Sequence, residues 1–152
     1  MVTDKDFNKA KAASLRLLAY RQRSVKEIKD RLKKKGFSDL VINKTVEYLT
    51  ALNYLDDREF ARFWIQDRIR TRPQGMSLLR YQLRQKGISR EIIKESLSEY
   101  AGDYDEYEAA KKLVALRSRR YRGLDPQKSK RRLYDYLCRR GFSQDVISQA
   151  IE

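Results

Sequence analysis

One short sequence pattern occurs three times in this chain and constrains its fold more than any other feature. It reads KKKGFSDLVI at 33–42, RQKGISREII at 84–93 and CRRGFSQDVI at 138–147. Aligned on their glycines, the three copies agree in residue type at eight positions, from eight residues before the Gly to ten after it. Such agreement is typical of an internal structural repeat.

Each copy predicts a helix, a tight turn and a second helix. Apolar residues four apart form one stripe on a helix that runs into the Gly. Glycine ends such a helix readily because it adopts the left-handed conformation without steric cost. The serine two positions later is a typical N-cap residue, so the next helix begins there.

A further helix is predicted before each of these pairs. Residues 56–71 and 105–120 both open with Asp-x-x-Glu, which is typical of a helix start. Residues 5–21 carry apolar side chains along one side and precede the first copy in the same way. The sequence therefore predicts nine helices.

The fold class that follows is all-α, with three tandem three-helix repeats forming an elongated, curved, solenoid-like body. Asn53 and Gly102 are predicted to end the helices before them, because both residue types tolerate the left-handed conformation. The expected repeat boundaries are 4–52, 54–101 and 103–152.

The charge balance predicts a polyanionic partner. The chain carries 35 Lys and Arg against 21 Asp and Glu, a net charge of +14, which favours nucleic acid or an acidic protein surface. The candidate binding residues lie at helix ends and on the second helices of the repeats. They are Lys33, Lys34, Lys35, Arg68, Arg70, Arg72, Arg80, Arg84, Arg117, Arg119, Arg120, Arg122, Arg139 and Arg140.

Several of these residues also have a purely structural interpretation. The lysines at 33–35 would interact favourably with the C-terminal dipole of their helix. Tyr81, Tyr121, Tyr134 and Tyr136 stand near basic residues, where they could stack on bases, but helix packing explains them more simply. Trp64 is predicted to be a core residue. Sequence-specific DNA reading is disfavoured, because the first turn of the helix after each glycine carries acidic and apolar residues.

Catalysis has no candidate residues, and no enzyme activity, metal or cofactor is expected. The chain has no His and one Cys, and it lacks a glycine-rich phosphate loop. The acidic pairs Asp56–Asp57 and Asp105–Glu106 stand at predicted helix starts, where capping accounts for them.

The lone Cys138 excludes an intramolecular disulfide, and no apolar run is long enough to cross a membrane. We expect a cytoplasmic monomer.

The middle of the chain resembles the RecX family, whose members regulate the RecA recombinase. The resemblance rests on YLDD-x-x-FA (Tyr54 to Ala61), on Arg70 and Arg72 before Gly75, and on LRQKGI (Leu83 to Ile88). The three-repeat organisation also matches. Asn53 stands where the family usually has Gly, and Met76-Ser77 replaces the Pro and basic residues expected after Gly75.

This resemblance implies a regulatory protein that binds the RecA filament on single-stranded DNA and limits its ATP turnover, strand exchange and growth. It also implies possible direct contact with DNA. Two other interpretations of the sequence remain open. One is a non-specific binder that competes for single-stranded DNA, and the other is a helical-repeat adaptor for a different acidic protein.

Overall fold

The computed structural model describes residues 3–152, and every regular element in that range is helical. The elements are α1 (Asp4–Tyr20), α2 (Val25–Lys34), α3 (Asp39–Ala51), α4 (Asp57–Thr71), α5 (Met76–Gln85), α6 (Arg90–Tyr100), α7 (Glu106–Ser118), a single 3₁₀ turn (Arg119–Tyr121), α8 (Pro126–Arg139) and α9 (Gln144–Ile151). The all-α prediction is confirmed over the described residues.

The helices form three groups, α1–α3, α4–α6 and α7–α9, which we call units 1, 2 and 3. All helix pairs in extensive contact lie within one unit, and each unit has its own apolar core. The protein exposes 10218 Å², whereas a compact monomer of this mass would expose about 8,100 Å². The excess fits the predicted elongated array. The nine α-helices found in residues 3–152 all lie within the predicted repeat boundaries. The boundaries themselves remain predictions.

The three repeated turns form as predicted. Gly36, Gly87 and Gly141 have φ angles of +95°, +79° and +85°, in the left-handed region. The residue after each glycine donates its backbone N–H to the carbonyl five positions back, which closes the helix end. Each following serine caps the next helix by accepting a 3.3 Å hydrogen bond from a backbone N–H.

The other predicted helix ends are confirmed except for one detail. Asp56 accepts hydrogen bonds from two N–H groups at the start of α4, and Asp105 accepts one at the start of α7. Asn53 is left-handed, with φ of +63°. Gly102 follows α6 but is not left-handed, because the chain leaves that helix through Ala101 in the right-handed conformation.

Unit 3 departs from the other two at its second helix. Helix α8 begins at Pro126, about one turn before the position that matches the starts of α2 and α5. Proline suits this first position because its missing N–H would have no helical partner. No helix within residues 3–152 is both long and apolar enough to span a membrane.

Candidate polyanion-binding surface at the unit junctions

Consecutive units meet through the ends of their second helices. The hydroxyl of Ser24, which caps the start of α2, donates to the carbonyl oxygen of Lys86 at the end of α5, at 2.7 Å. At the next junction the backbone N–H of Gly75, before α5, donates to the carbonyl oxygen of Arg140 at the end of α8, at 2.8 Å. The two junctions therefore use equivalent positions of the repeat.

A carboxylate from the following unit completes each junction. Asp57 accepts a 3.0 Å hydrogen bond from the N–H of Val25, and Glu106 accepts a 2.6 Å hydrogen bond from the N–H of Met76. The acidic pairs at 56–57 and 105–106 were predicted to be capping residues at helix starts. The second member of each pair does cap a helix, but that helix belongs to the preceding unit.

Burial raises the pKa of Asp57, and the charge of neighbouring Asp56 adds to this effect, although the hydrogen bond from Val25 opposes it. Glu27 lies at the same junction and behaves in the opposite way. Burial alone would raise its pKa, but hydrogen bonds from Arg21 and the Ser24 N–H, together with the charge of Lys86, lower it below the ordinary value.

Three cations gather at the junction of units 1 and 2. Arg21 and Lys86 both form ion pairs with Glu27. The guanidinium of Arg68 lies over the ring of Trp64, 4.3 Å from its centroid, and the ammonium of Lys86 lies 5.4 Å from the same ring. We call Arg21, Arg68 and Lys86 the first junction cluster.

Three arginines of units 2 and 3 stand at the equivalent positions of the repeat. The guanidinium of Arg140 donates to the carbonyl oxygens of Arg72 and Pro73, at 3.1 and 2.9 Å. The guanidinium of Arg117 lies over the ring of Tyr136, 4.2 Å from its centroid. We call Arg72, Arg117 and Arg140 the second junction cluster.

The two clusters occupy matching places in the repeat. Arg21 and Arg72 end the first helices of their units, and Lys86 and Arg140 end the second helices of the units that follow. Arg68 and Arg117 both occupy the twelfth position after the Asp N-cap of their helices. Among residues 3–152, the buried Nε of Arg68 and that of Arg117 find no hydrogen-bond partner. Basic residues thus occupy the same three positions of the repeat at both junctions.

Sequence reasoning selected four of these six residues and missed two. Arg21 and Lys86 were omitted, although the first matches Arg72 in the repeat and the second stands directly before a repeated glycine, as Arg140 does. Aligning the basic residues in the same register as the apolar ones would have found both.

The remaining candidates are distributed along the array. The three lysines at 33–35 end α2 and are exposed, Arg70 is exposed near Asp67, and Arg80 and Arg84 line a groove in unit 2. Arg119, Arg120, Arg122 and Arg139 are exposed in unit 3. Lys35 stands where Lys86 and Arg140 stand in the later units, and its side chain is exposed.

Aromatic side chains accompany the first junction cluster. Trp64 stacks on Phe60 at 5.8 Å and donates its indole N–H to Gln82, so it packs against the core as predicted but is only partly buried. Beside it, Phe63 is 58% exposed. Both rings line a cavity of about 360 Å³ that Arg21, Arg68 and Lys86 also line.

The four tyrosines that stand near basic residues in the sequence have different surroundings. Tyr134 and Tyr136 pack against the core of unit 3, Tyr121 lies beneath the guanidinium of Arg132 at 5.9 Å, and Tyr81 is 60% exposed. Within residues 3–152 no group of His, Cys, Asp and Glu side chains is arranged to hold a metal ion. The arrangement can bind anions through paired cations and aromatic faces.

Comparison with known families matches almost the whole chain. The models for the first, second and third three-helix domains of RecX match residues 10–49, 56–97 and 103–151, in that order along the chain. Each matched range falls within one unit of the structure.

Individual proteins agree with these matches. The chain is 38% identical to a regulatory protein RecX of Prosthecochloris aestuarii, over 99% of this chain and 97% of that protein. It is also 38% identical to a regulatory protein RecX of Bacillus licheniformis, over 97% of this chain but only 56% of that longer protein. A crystal structure of RecX from Lactobacillus salivarius has the same fold, with a TM-score of 0.83 over 98% of this chain and 96% of that chain at 24% identity. A second crystal structure of a regulatory protein RecX also gives 0.83, at 27% identity, over 95% of this chain and 71% of that chain.

Proposed function

The chain belongs to the RecX family of regulatory proteins, and on this basis we propose that it binds the RecA filament on single-stranded DNA and restrains it. Bound protein would bridge neighbouring RecA protomers and oppose the changes that ATP hydrolysis and strand exchange require. It would also hinder the addition of protomers at the filament end.

The observation that carries this proposal is the repetition of the junction clusters. A helical polymer presents the same acidic or phosphate-bearing surface at every protomer. An array with cations at equivalent positions can contact several such surfaces at once, so weak individual contacts combine into strong binding through effective concentration. The net charge of +14 would steer the protein towards such a polymer.

RecA's DNA-dependent ATP turnover on preformed filaments, in the absence of free DNA, tests the proposal. Inhibition is expected when this protein is present at well below one copy per RecA protomer, because each copy acts on several protomers. The variant Arg117→Glu/Arg119→Glu/Arg120→Glu should inhibit less while remaining folded. Unchanged inhibition by that variant would contradict the assignment of these residues, and no inhibition by the native protein would contradict the function.

A second candidate function is direct binding to single-stranded DNA in competition with RecA. The exposed ring of Phe63 beside three cations favours it, because bases stack on aromatic rings while cations contact the phosphates. This candidate predicts inhibition only when the protein is abundant enough to coat the DNA. It also predicts binding to bare DNA that falls steeply as salt concentration rises.

A further inference from the structure

A groove in the middle unit has cations on both walls and an apolar floor. It lies between α5 and α6 and has a volume of about 640 Å³, within the usual range of binding sites. Arg80 and Arg84 stand one turn apart on one wall, and Arg90 and Lys94 stand one turn apart on the other. None of these four side chains forms an ion pair with another residue in the range 3–152.

Helix α6 separates its charges so that the groove receives only cations. Of its three acidic residues, Glu91 does not line the groove, and Glu95 and Glu99 face α4, where they form ion pairs with Arg58 and Arg62. These carboxylates are therefore engaged elsewhere. Like charges one turn apart repel each other on a helix, so an anionic partner in the groove would relieve repulsion on both walls.

The corresponding grooves of the other units lack this character. In unit 3 the groove contains Lys130 and Arg131 but also Asp135 and Glu152. In unit 1 the positions that match Arg90 and Lys94 are Asp39 and Asn43. The groove of the middle unit therefore differs from that of unit 3 in having cations without carboxylates, and unit 1 lacks two of its four cations.

The groove floor indicates which anionic partner fits. It consists of aliphatic side chains and a flexible methionine, namely Met76, Ile93 and Leu97, and methionine adapts well to variable apolar groups. No aromatic ring from the described part of the chain lines the groove, so residues 3–152 offer no stacking platform there for nucleic-acid bases.

We propose that this groove is a docking site for an acidic protein segment whose apolar side chains, one helical turn apart, anchor it on the floor. Carboxylates flanking the anchors would pair with the four wall cations, as in the binding of an amphipathic helix to a groove. The proposal goes beyond the RecA function and does not depend on it, since it concerns a different surface from the junction clusters.

The test uses the whole protein and a fluorescein-labelled helical peptide with Leu residues four positions apart and Glu at the remaining exposed positions. Fluorescence anisotropy should detect binding. The variant Arg80→Glu/Lys94→Glu should bind about tenfold more weakly, because it replaces one attraction on each wall by a repulsion. The matched control Lys5→Glu/Lys9→Glu changes the net charge equally at exposed positions of α1 and should bind within about twofold of the native protein.

A second peptide with Ser in place of Leu should bind much more weakly, because it keeps the charge but loses the anchors. The proposal is overturned if the Leu peptide does not bind, if both peptides bind equally, or if both double variants weaken binding equally. It is also overturned if oligo(dT) displaces the peptide and loses its own affinity in the Arg80→Glu/Lys94→Glu variant. The milder Arg80→Gln/Lys94→Gln variant, with circular dichroism, distinguishes lost docking from lost folding.

Discussion

The carboxylate of Asp57 caps a helix that belongs to the preceding unit, accepting a 3.0 Å hydrogen bond from the backbone N–H of Val25. Glu106 does the same for Met76 at the next junction, at 2.6 Å. Since each unit has its own core and extensive helix packing stays within units, polar and backbone contacts of this kind contribute much of what fixes one unit on the next.

The first prediction concerns the pH dependence that Glu27 gives to stability. Its pKa is lower in the folded protein than the ordinary 4.5, so it stabilises the fold above about pH 4.5, and this contribution is lost as the pH falls through the lowered value. Glu27→Gln should therefore reduce the free energy of unfolding by about 1 kcal/mol at pH 7, with a smaller difference at pH 3. Urea denaturation at both pH values measures it.

Asp57 provides the opposite sign as a comparison. Its folded-state pKa is raised above 3.8, so the folded protein is favoured when Asp57 is protonated, and this advantage is lost as the pH rises through the raised value. The advantage of the native protein over Asp57→Asn should thus be greater at low pH than at neutral pH. The stability advantage of the native protein over Glu27→Gln should therefore grow as the pH rises, and its advantage over Asp57→Asn should shrink. If both advantages change in the same direction with pH, the two assignments are wrong.

The second prediction separates backbone strain from junction packing at the repeated glycines. Gly36→Ala places a Cβ in open space at positive φ, so it should cost about 1–2 kcal/mol through the left-handed conformation alone. Gly141→Ala has the same strain, and its Cβ would also stand 2.4 Å from the Cβ of Leu78 in unit 2. It should therefore destabilise the protein clearly more than Gly36→Ala, as measured by urea denaturation.

Gly75→Ala is the matched control, because Gly75 has φ of −79° and any residue can adopt that conformation. Its added Cβ would lie 2.0 Å from the carbonyl oxygen of Gly141, so the whole cost comes from the junction. Equal stability of Gly75→Ala and the native protein would show that the two units separate there without penalty.

The glycines also mark how far the sequence alone could predict the structure. Helix ends and caps were predictable, because left-handed glycines and capping serines act within a few residues of the chain. The role of Asp57 was not, since a carboxylate at a helix start looks the same whether it caps its own helix or a neighbouring one. The partnership of Arg68 with Trp64 follows from helical spacing, whereas that of Arg117 with Tyr136 depends on how α7 packs on α8.

The third prediction distinguishes the stacked arginine of the second junction cluster from its exposed neighbours. Arg119→Glu/Arg120→Glu should weaken filament binding without changing the urea midpoint, because both side chains are exposed. Arg117→Glu should weaken filament binding and also lower stability by about 0.5–1 kcal/mol, because it loses the contact with Tyr136. Arg117→Lys should restore part of the binding. Sedimentation with filaments gives the binding, and loss of stability in the exposed pair would contradict this division.

The fourth prediction uses Trp64, the only tryptophan, as a reporter for direct contact with single-stranded DNA. Its ring lies under Arg68 beside the cavity that holds Phe63, so a base stacked there should quench its fluorescence. If the competing function operates through the first junction cluster, oligo(dT) should quench Trp64 at low salt and lose this effect as salt rises.

Phe63→Ala should reduce the quenching, because it removes the exposed ring and leaves every cation in place. Tyr81→Ala removes an equally exposed ring on α5, which does not line this cavity, and should leave the quenching unchanged. Quenching that survives Phe63→Ala would mean that Phe63 is not the ring on which the bases stack, whereas filament inhibition without any quenching would favour action on RecA itself.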